Sequence, residues 1–163
     1  MPKNKNTLTI TCSNVVICDD VRREDNGKVI LIGVYTGEIV VTEFPHAMDL
    51  TCWFEIASRG DGKAPFSARA LFEPDGIELF SVSAGIERER GPLGEEVTED
   101  YFAAPCGQVQ IERPGTIVVQ FKSGESDWQT VRSKNVASAA AIMERAAPKQ
   151  TNATANAARK KKN

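Results

Sequence analysis

Histidine is almost missing from this chain: among 163 residues there is one, His46, next to Pro45. A single histidine without a Gly-x-Ser-x-Gly elbow leaves little material for nucleophilic catalysis of the hydrolase kind. No glycine-rich loop of the P-loop or dinucleotide type occurs, so nucleotide chemistry has no motif to rest on and no cofactor is expected. Nor does any window approach the roughly 18 uninterrupted apolar residues of a membrane-spanning helix. The first residues, MPKNKNTLTITC, are basic but lack the apolar core of about 7 to 15 residues that a secretory signal needs. A cytoplasmic location is therefore the expectation, with no membrane partner.

The four cysteines, Cys12, Cys18, Cys52 and Cys106, never stand at the two-residue spacing of zinc sites and redox motifs. They lie in or beside apolar runs and read as buried thiols, which pack as small apolar residues where no export brings oxidation. Net charge is unevenly spread along the chain. Lys149, Arg159, Lys160, Lys161 and Lys162 put five cations and no acid into residues 146 to 163, so a total of −2 leaves −7 for the rest. An acidic body carries no nucleic-acid footprint of its own. Only Arg159, Lys160, Lys161 and Lys162 offer weak, salt-sensitive attraction to a phosphate backbone.

What is present is a globular composition, 41% apolar and 26% charged, in a chain long enough for one core without staples. Leu8, Ile10 and Cys12 alternate with threonines in the two-residue period of a strand, and Ser13-Asn14 interrupts them as a bulge or a break. Asp25-Asn26-Gly27 is a reverse turn that accepts positive φ. Behind it Val29 to Tyr35 is apolar on both faces, which predicts a central strand, with Gly33 marking a bulge or a close approach. Leu50, Cys52, Phe54 and Ile56 alternate cleanly, as do Phe66, Ala68, Ala70 and Phe72. Pro74-Asp75-Gly76 turns the chain into a return strand from Ile77 to Ile86. Residues 87 to 105 show no sustained period and read as a long loop. Val109 and Ile111, then Ile117 to Phe121 and Trp128 to Val136, complete the strands.

About eight short strands at regular spacing predict an all-β fold, an antiparallel two-sheet β-sandwich of immunoglobulin-like or similar Greek-key type. The sandwich spans residues 7 to 136, after a frayed stretch from 1 to 6. An alanine-rich segment from 137 to 147 predicts a short helix, and 148 to 163 a disordered basic tail. The expected core draws on Ile10, Ile30, Ile32, Val34, Cys52, Phe54, Ile56, Phe72, Phe80, Val82, Ile111, Val119 and Phe121.

Charge concentrates in two places. Asp19, Asp20, Arg22, Arg23, Glu24 and Asp25 precede the first turn, and Glu95, Glu96, Glu99 and Asp100 fall in the expected long loop. Paired loop carboxylates suit a small hydrolase. Asp19, Asp20, Glu24, Asp25, Asp61, Asp75 and Asp127, in loops, suit calcium, although the EF-hand spacing is absent and Arg22, Arg23 and Lys28 oppose it. The plainer reading of the first cluster is a hairpin held by cross-strand ion pairs. Asp19, Asp20, Arg22, Arg23, Glu24, Glu95, Glu96, Glu99 and Asp100 are also the candidate partner-binding residues.

The run Asp20-Val21-Arg22-Arg23-Glu24-Asp25-Asn26-Gly27-Lys28, followed by Gly33-Val34-Tyr35 and Phe44-Pro45, resembles the opening of a family of small uncharacterised bacterial or phage proteins, a domain of unknown function. The resemblance covers most of residues 10 to 136 and leaves the tail outside. It implies a β-sandwich and brings no activity and no catalytic residues. With no catalytic constellation in the sequence, the expected function is a non-enzymatic protein-binding or scaffold module, meeting a protein partner or a second copy of itself. The alternatives are a small hydrolase using His46 or the loop carboxylates, and a calcium- or ligand-binding sandwich.

Overall fold

The computed structural model describes residues 7–89 and 97–147, and these are mostly strand. The chain opens with β1 (Thr9–Cys18). Its Ser13 is a bulge: pairing passes from Cys12 opposite Ile56 to Asn14 opposite Glu55. One extra residue shifts the inward parity, so Ile10 is buried before the bulge and Val15 and Ile17 after it. The Ser13 hydroxyl donates to the Glu55 carbonyl at 3.0 Å.

β2 (Asp20–Arg23) and β3 (Val29–Ile32) then form a separate two-stranded antiparallel hairpin. Its turn is the one the sequence predicts, with Gly27 at φ +83, the Glu24 N–H donating to the Lys28 carbonyl and the Gly27 N–H to the Glu24 carbonyl, both at 2.9 Å. The central strand expected over Val29 to Tyr35 is corrected. β3 ends at Ile32 and pairs with β2 alone, and Ile30, Ile32 and Val34 are 44%, 36% and 43% exposed instead of lying in the core. A run that is apolar on both faces reports hydrophobicity, and its neighbours decide whether it is covered.

The remaining elements are β4 (Ile39–Val41), β5 (His46–Arg59), β6 (Gly62–Glu73), β7 (Ile77–Arg88), β8 (Thr98–Ile111), β9 (Gly115–Ser123), β10 (Gln129–Ser138) and α1 (Ala139–Ala146). One sheet has three antiparallel strands in the order β1-β5-β8, and the other has five in the order β4-β10-β9-β6-β7. The larger sheet is mixed, a correction to the antiparallel expectation, because β4 pairs with β10 in parallel, Ile39 opposite Val136. A parallel pair needs a long crossover, and here nearly the whole fold lies between the two strands.

A second correction concerns residues 87 to 105. β7 runs to Arg88 and β8 begins at Thr98, so Glu99 and Asp100 are strand residues, opposite Ala57 and Ile56 of β5. Glu95 and Glu96 lie outside the described residues, as do Arg159, Lys160, Lys161 and Lys162. The strand hides in the sequence because β8 is an edge whose outer face meets water, and alanine and proline flatten the alternation. Pro105 sits beside a bulge opposite Leu50 and Thr51, where a missing N–H is tolerated.

Both larger sheets contribute to one core. Phe54 of β5 stacks on Phe102 of β8 at 4.6 Å between ring centres and meets Phe80 of β7 edge-on at 6.0 Å. Phe66 of β6 touches both Phe102 and Phe121 of β9, each at 5.5 Å. Such rings hide about 150 to 250 Å² each and dominate the burial that stabilises the fold. Of the other expected core residues, Ile10, Cys52, Ile56, Phe72, Ile111 and Val119 are buried, and Phe80 and Val82 are half-buried because β7 is an edge.

At the C-terminal end of the described chain, the Ser138 hydroxyl accepts from the Ala141 N–H at 3.3 Å and caps α1. The helix buries none of its residues and is tied down by Arg145, whose guanidinium meets the Glu38 carboxylate at 3.2 Å. Among the described residues no helix is long and apolar enough to cross a membrane.

Candidate functional site at the hairpin

Asp19 stands at the root that sets the first hairpin on the body. Its N–H donates to the Ile32 carbonyl at 3.0 Å, and its own carbonyl accepts from the Thr51 hydroxyl at 3.3 Å. Its carboxylate accepts from the Tyr35 hydroxyl at 2.5 Å. Gly33, at φ +67, makes the return possible in two ways: the left-handed backbone suits glycine, and a Cβ would collide with the Asp19 carboxylate. The chain then comes back far enough for the Tyr35 N–H to donate to the Ile17 carbonyl at 3.0 Å.

Burial, reinforced by the hydrogen bond to Asp19, pushes the Tyr35 phenol above its ordinary range, so it stays a donor. Burial likewise pushes the Cys18 thiol up to about 11, helped by the negative charge of Asp19 and Asp20. Cys18 donates weakly to the Thr51 carbonyl at 3.6 Å. Nearby, the Cys52 thiol donates to the Cys106 sulfur; this raises Cys52, which is also buried, and lowers Cys106. All four cysteines are free thiols.

The hairpin has two faces. On one, Asp20 and Arg22 form an ion pair of 3.0 Å, with side chains 52% and 70% exposed. They lie opposite Ile32 and Ile30. The pair is therefore within β2, and isoleucines stand where cross-strand partners were expected. On the other face, Val21 and Leu31 are half-buried, and the Arg23 guanidinium lies over the Tyr101 ring at 5.4 Å. Tyr101 in turn stacks on Trp53 at 4.6 Å, and Trp53 is only 7% exposed. The outer side of β5 is thus covered as well as its inner side.

Between the hairpin root and the sheet lies a cleft of about 430 Å³, lined by Asp19, Asp20, Arg22, Asp49, Thr51 and Pro105 among others. It gathers three carboxylates and one guanidinium. Yet among the described residues no group of three or more histidine, cysteine or acidic side chains is placed to hold a metal ion. Asp75 of the calcium candidates is engaged by Arg113. Glu24 sits in the turn and accepts from the Asn26 side chain at 2.9 Å.

The other expected residues are divided. Glu99 shares the outer face of β8 with Tyr101, two positions on, whereas Asp100 points to the opposite side and lines a different cleft with Phe66 and Phe102. His46 opens β5, half-buried, opposite Ile111. The structure therefore joins Asp19, Asp20 and Arg22 in one cleft and Arg23 with Tyr101 beside it, and leaves His46 and Asp100 elsewhere. Thr51, Trp53 and Tyr101 are not among the residues the sequence singles out, and Tyr35 stands in it only as part of the Gly33-Val34-Tyr35 motif. The signal that points to them is an aromatic residue, Trp53, on the nominally polar side of an alternating strand.

No curated protein matches the chain in sequence. Residues 13–132 do match the family of unknown function DUF6941. The matched span begins inside β1 and ends inside β10, so it takes in the hairpin and its root and leaves α1 and the basic tail outside. By that match, over most of its length, the chain belongs to the DUF6941 family.

Proposed function

We propose that this protein is a non-enzymatic binding or scaffold module that uses the β2–β3 hairpin to meet a protein partner. The observation that carries this reading is the exposed stripe of Ile30, Ile32 and Val34 on an arm braced at its root. A lone two-stranded ribbon is marginal in water, yet this one is anchored to the body through Asp19, Thr51 and Tyr35. An arm already held in place loses little freedom on binding, which favours recognition. Exposed, clustered apolar side chains with a charged rim of Asp20 and Arg22 have the composition of a contact surface.

Against a small hydrolase stands the separation of the candidate groups: Glu99 and Asp100 face opposite sides of β8, and His46 lies on another strand. The reading also takes the two larger sheets as an immunoglobulin-like sandwich that serves as the support, and a cytoplasmic setting of bacterial or phage origin.

The test compares partner capture from the native host by the wild type, by an Ile30→Asp, Ile32→Asp double variant, and by Val40→Asp as a control on β4. Direct binding of the captured protein is then measured with purified components. The expected result is a partner bound by the wild type and by Val40→Asp and lost by the hairpin variant, with unchanged circular dichroism. Equal binding by all three overturns the reading.

A further inference from the structure

We infer that the free edge of β7 is a self-association surface on which a second copy of this chain pairs antiparallel about Ala84. An edge strand offers unpaired N–H and C=O groups, and folded proteins blunt such edges with charge, proline, bulges or shortness. β8 carries Glu99, Asp100, Pro105 and a bulge. β1 has the bulge at Ser13, and its Ile17 carbonyl is taken by the Tyr35 N–H. β4 has three residues. β7 has its bulge at Leu79, near its start, where Leu71 faces Glu78 and Ala70 faces Phe80, and beyond it Phe80 to Ile86 contains seven residues with neither charge nor proline, within a pairing to β6 that is regular from Phe80 to Arg88. Among the described edge strands of the two larger sheets, it has the longest regular stretch free of charge and proline.

A second observation lies along the same edge. The cleft of about 510 Å³ beside β7 has Ile56, Phe66 and Phe102 in its apolar lining, with Ala84, Gly85 and Ile86 on the β7 side. A strand added to β7 continues the five-stranded sheet and brings more inward-facing apolar side chains over this cleft.

The sequence of β7 fits its own reverse. Antiparallel neighbours must point to the same side, so residues of equal parity face each other across a two-fold axis. With the axis at Ala84, Ala84 meets its own counterpart, Val82 meets Ile86, Ser83 meets Gly85, and Ser81 meets Glu87. Phe80 then meets Arg88, and the regular stretch from Phe80 to Arg88 is used in full. No like charges are opposed. Alanine and glycine at the centre leave room for close approach, and the isologous contact closes at two copies.

The experiment is sedimentation of the full chain and of two single variants, Ala84→Lys and Ala84→Glu. The expected mass of the wild type is twice that of the 17.8 kDa chain. Each variant should sediment at half that mass, because like charges then face each other at the axis. An equimolar mixture of the two should regain the doubled mass, since lysine then faces glutamate. Amide exchange of the wild type gives a reading that needs no variant: the outward amides from Phe80 to Arg88 should be protected at high concentration and lose protection on dilution. A monomeric wild type, a doubled mass that survives both substitutions, or a mixture of folded variants that stays monomeric overturns the inference. Loss of the hairpin contact described above changes none of these readings, so the two fail separately.

Discussion

The Tyr35 hydroxyl and the Asp19 carboxylate, 16 residues apart in sequence, close the hairpin onto the body with a 2.5 Å hydrogen bond. Gly33 stands between them in sequence and leaves the carboxylate its space. Tyr35→Phe removes the hydroxyl that donates to that carboxylate oxygen and should cost about 1–3 kcal/mol, the range for a deprived, partly buried acceptor. Gly33→Ala combines a disfavoured φ with a collision and should cost at least about 1 kcal/mol. Urea unfolding measures both, and a Gly33→Ala protein as stable as the wild type would refute this account of the root.

Arg22 and Arg23 differ in surroundings and should differ in response. Arg22 pairs with Asp20 in the open, and its reversal to Glu should cost under about 1 kcal/mol. Arg23 lies over Tyr101, and Arg23→Ala should lose about 0.5–1 kcal/mol of cation–π attraction. Tyr101→Leu should abolish most of the Arg23 effect in a double-mutant cycle. Additive losses would show that the two side chains do not interact.

Phe54 is the ring where the two larger sheets meet, buried and in contact with Phe102 and Phe80. Phe54→Ala should destabilise by about 3–5 kcal/mol. Ile30→Ala, on the exposed hairpin face, should cost well under that. Equal losses at the two sites would return Ile30 to the core.

Alkaline pH should destabilise this protein through two of its thiols. Burial lifts Cys12 and Cys18 from 9.0 to about 11. The neutral thiol is thus favoured in the folded state, and the unfolded chain releases its protons first. The stability this contributes is complete below about pH 9 and is lost as pH rises toward 11. The Tm should fall across that window, and Cys12→Ala, Cys18→Ala should flatten the fall. An unchanged slope in the double variant would locate the alkaline sensitivity elsewhere.

Cys106 should be the first thiol to react. It is half-buried and held low by the Cys52 thiol, whereas Cys18 and Cys52 are buried and raised. Brief alkylation followed by peptide mass analysis should find the label on Cys106, and Cys52→Ala should slow it. Faster labelling of Cys18 would contradict the arrangement.

Much of the fold is legible in the chain because turns and alternation are local. Asp25-Asn26-Gly27 reverses where its residues tolerate the angles, and Leu50 to Ile56 and Phe66 to Phe72 bury the faces that their two-residue period marks. Even Ser13 is visible as an interruption, though only the pairing with β5 makes it a bulge. The candidate site is legible in its charges, from Asp19 to Glu24, and illegible in its architecture. Thr51 acts on Asp19 from a position that carries no motif, and Tyr35 from one whose motif does not name its partner.

The class of the molecule, the positions of its reverse turns and the inward faces of β5 and β6 are written locally in the chain, since each depends on dihedral preference and polarity over a few adjacent residues. That Val29 to Ile32 leaves the body as an arm, that β4 lies parallel to β10, and that Trp53 is covered on the outer side of its sheet are matters of long-range packing. Each of these depends on which distant segment lies alongside. Hydrophobic attraction has no direction, so an apolar run does not name the surface that will cover it.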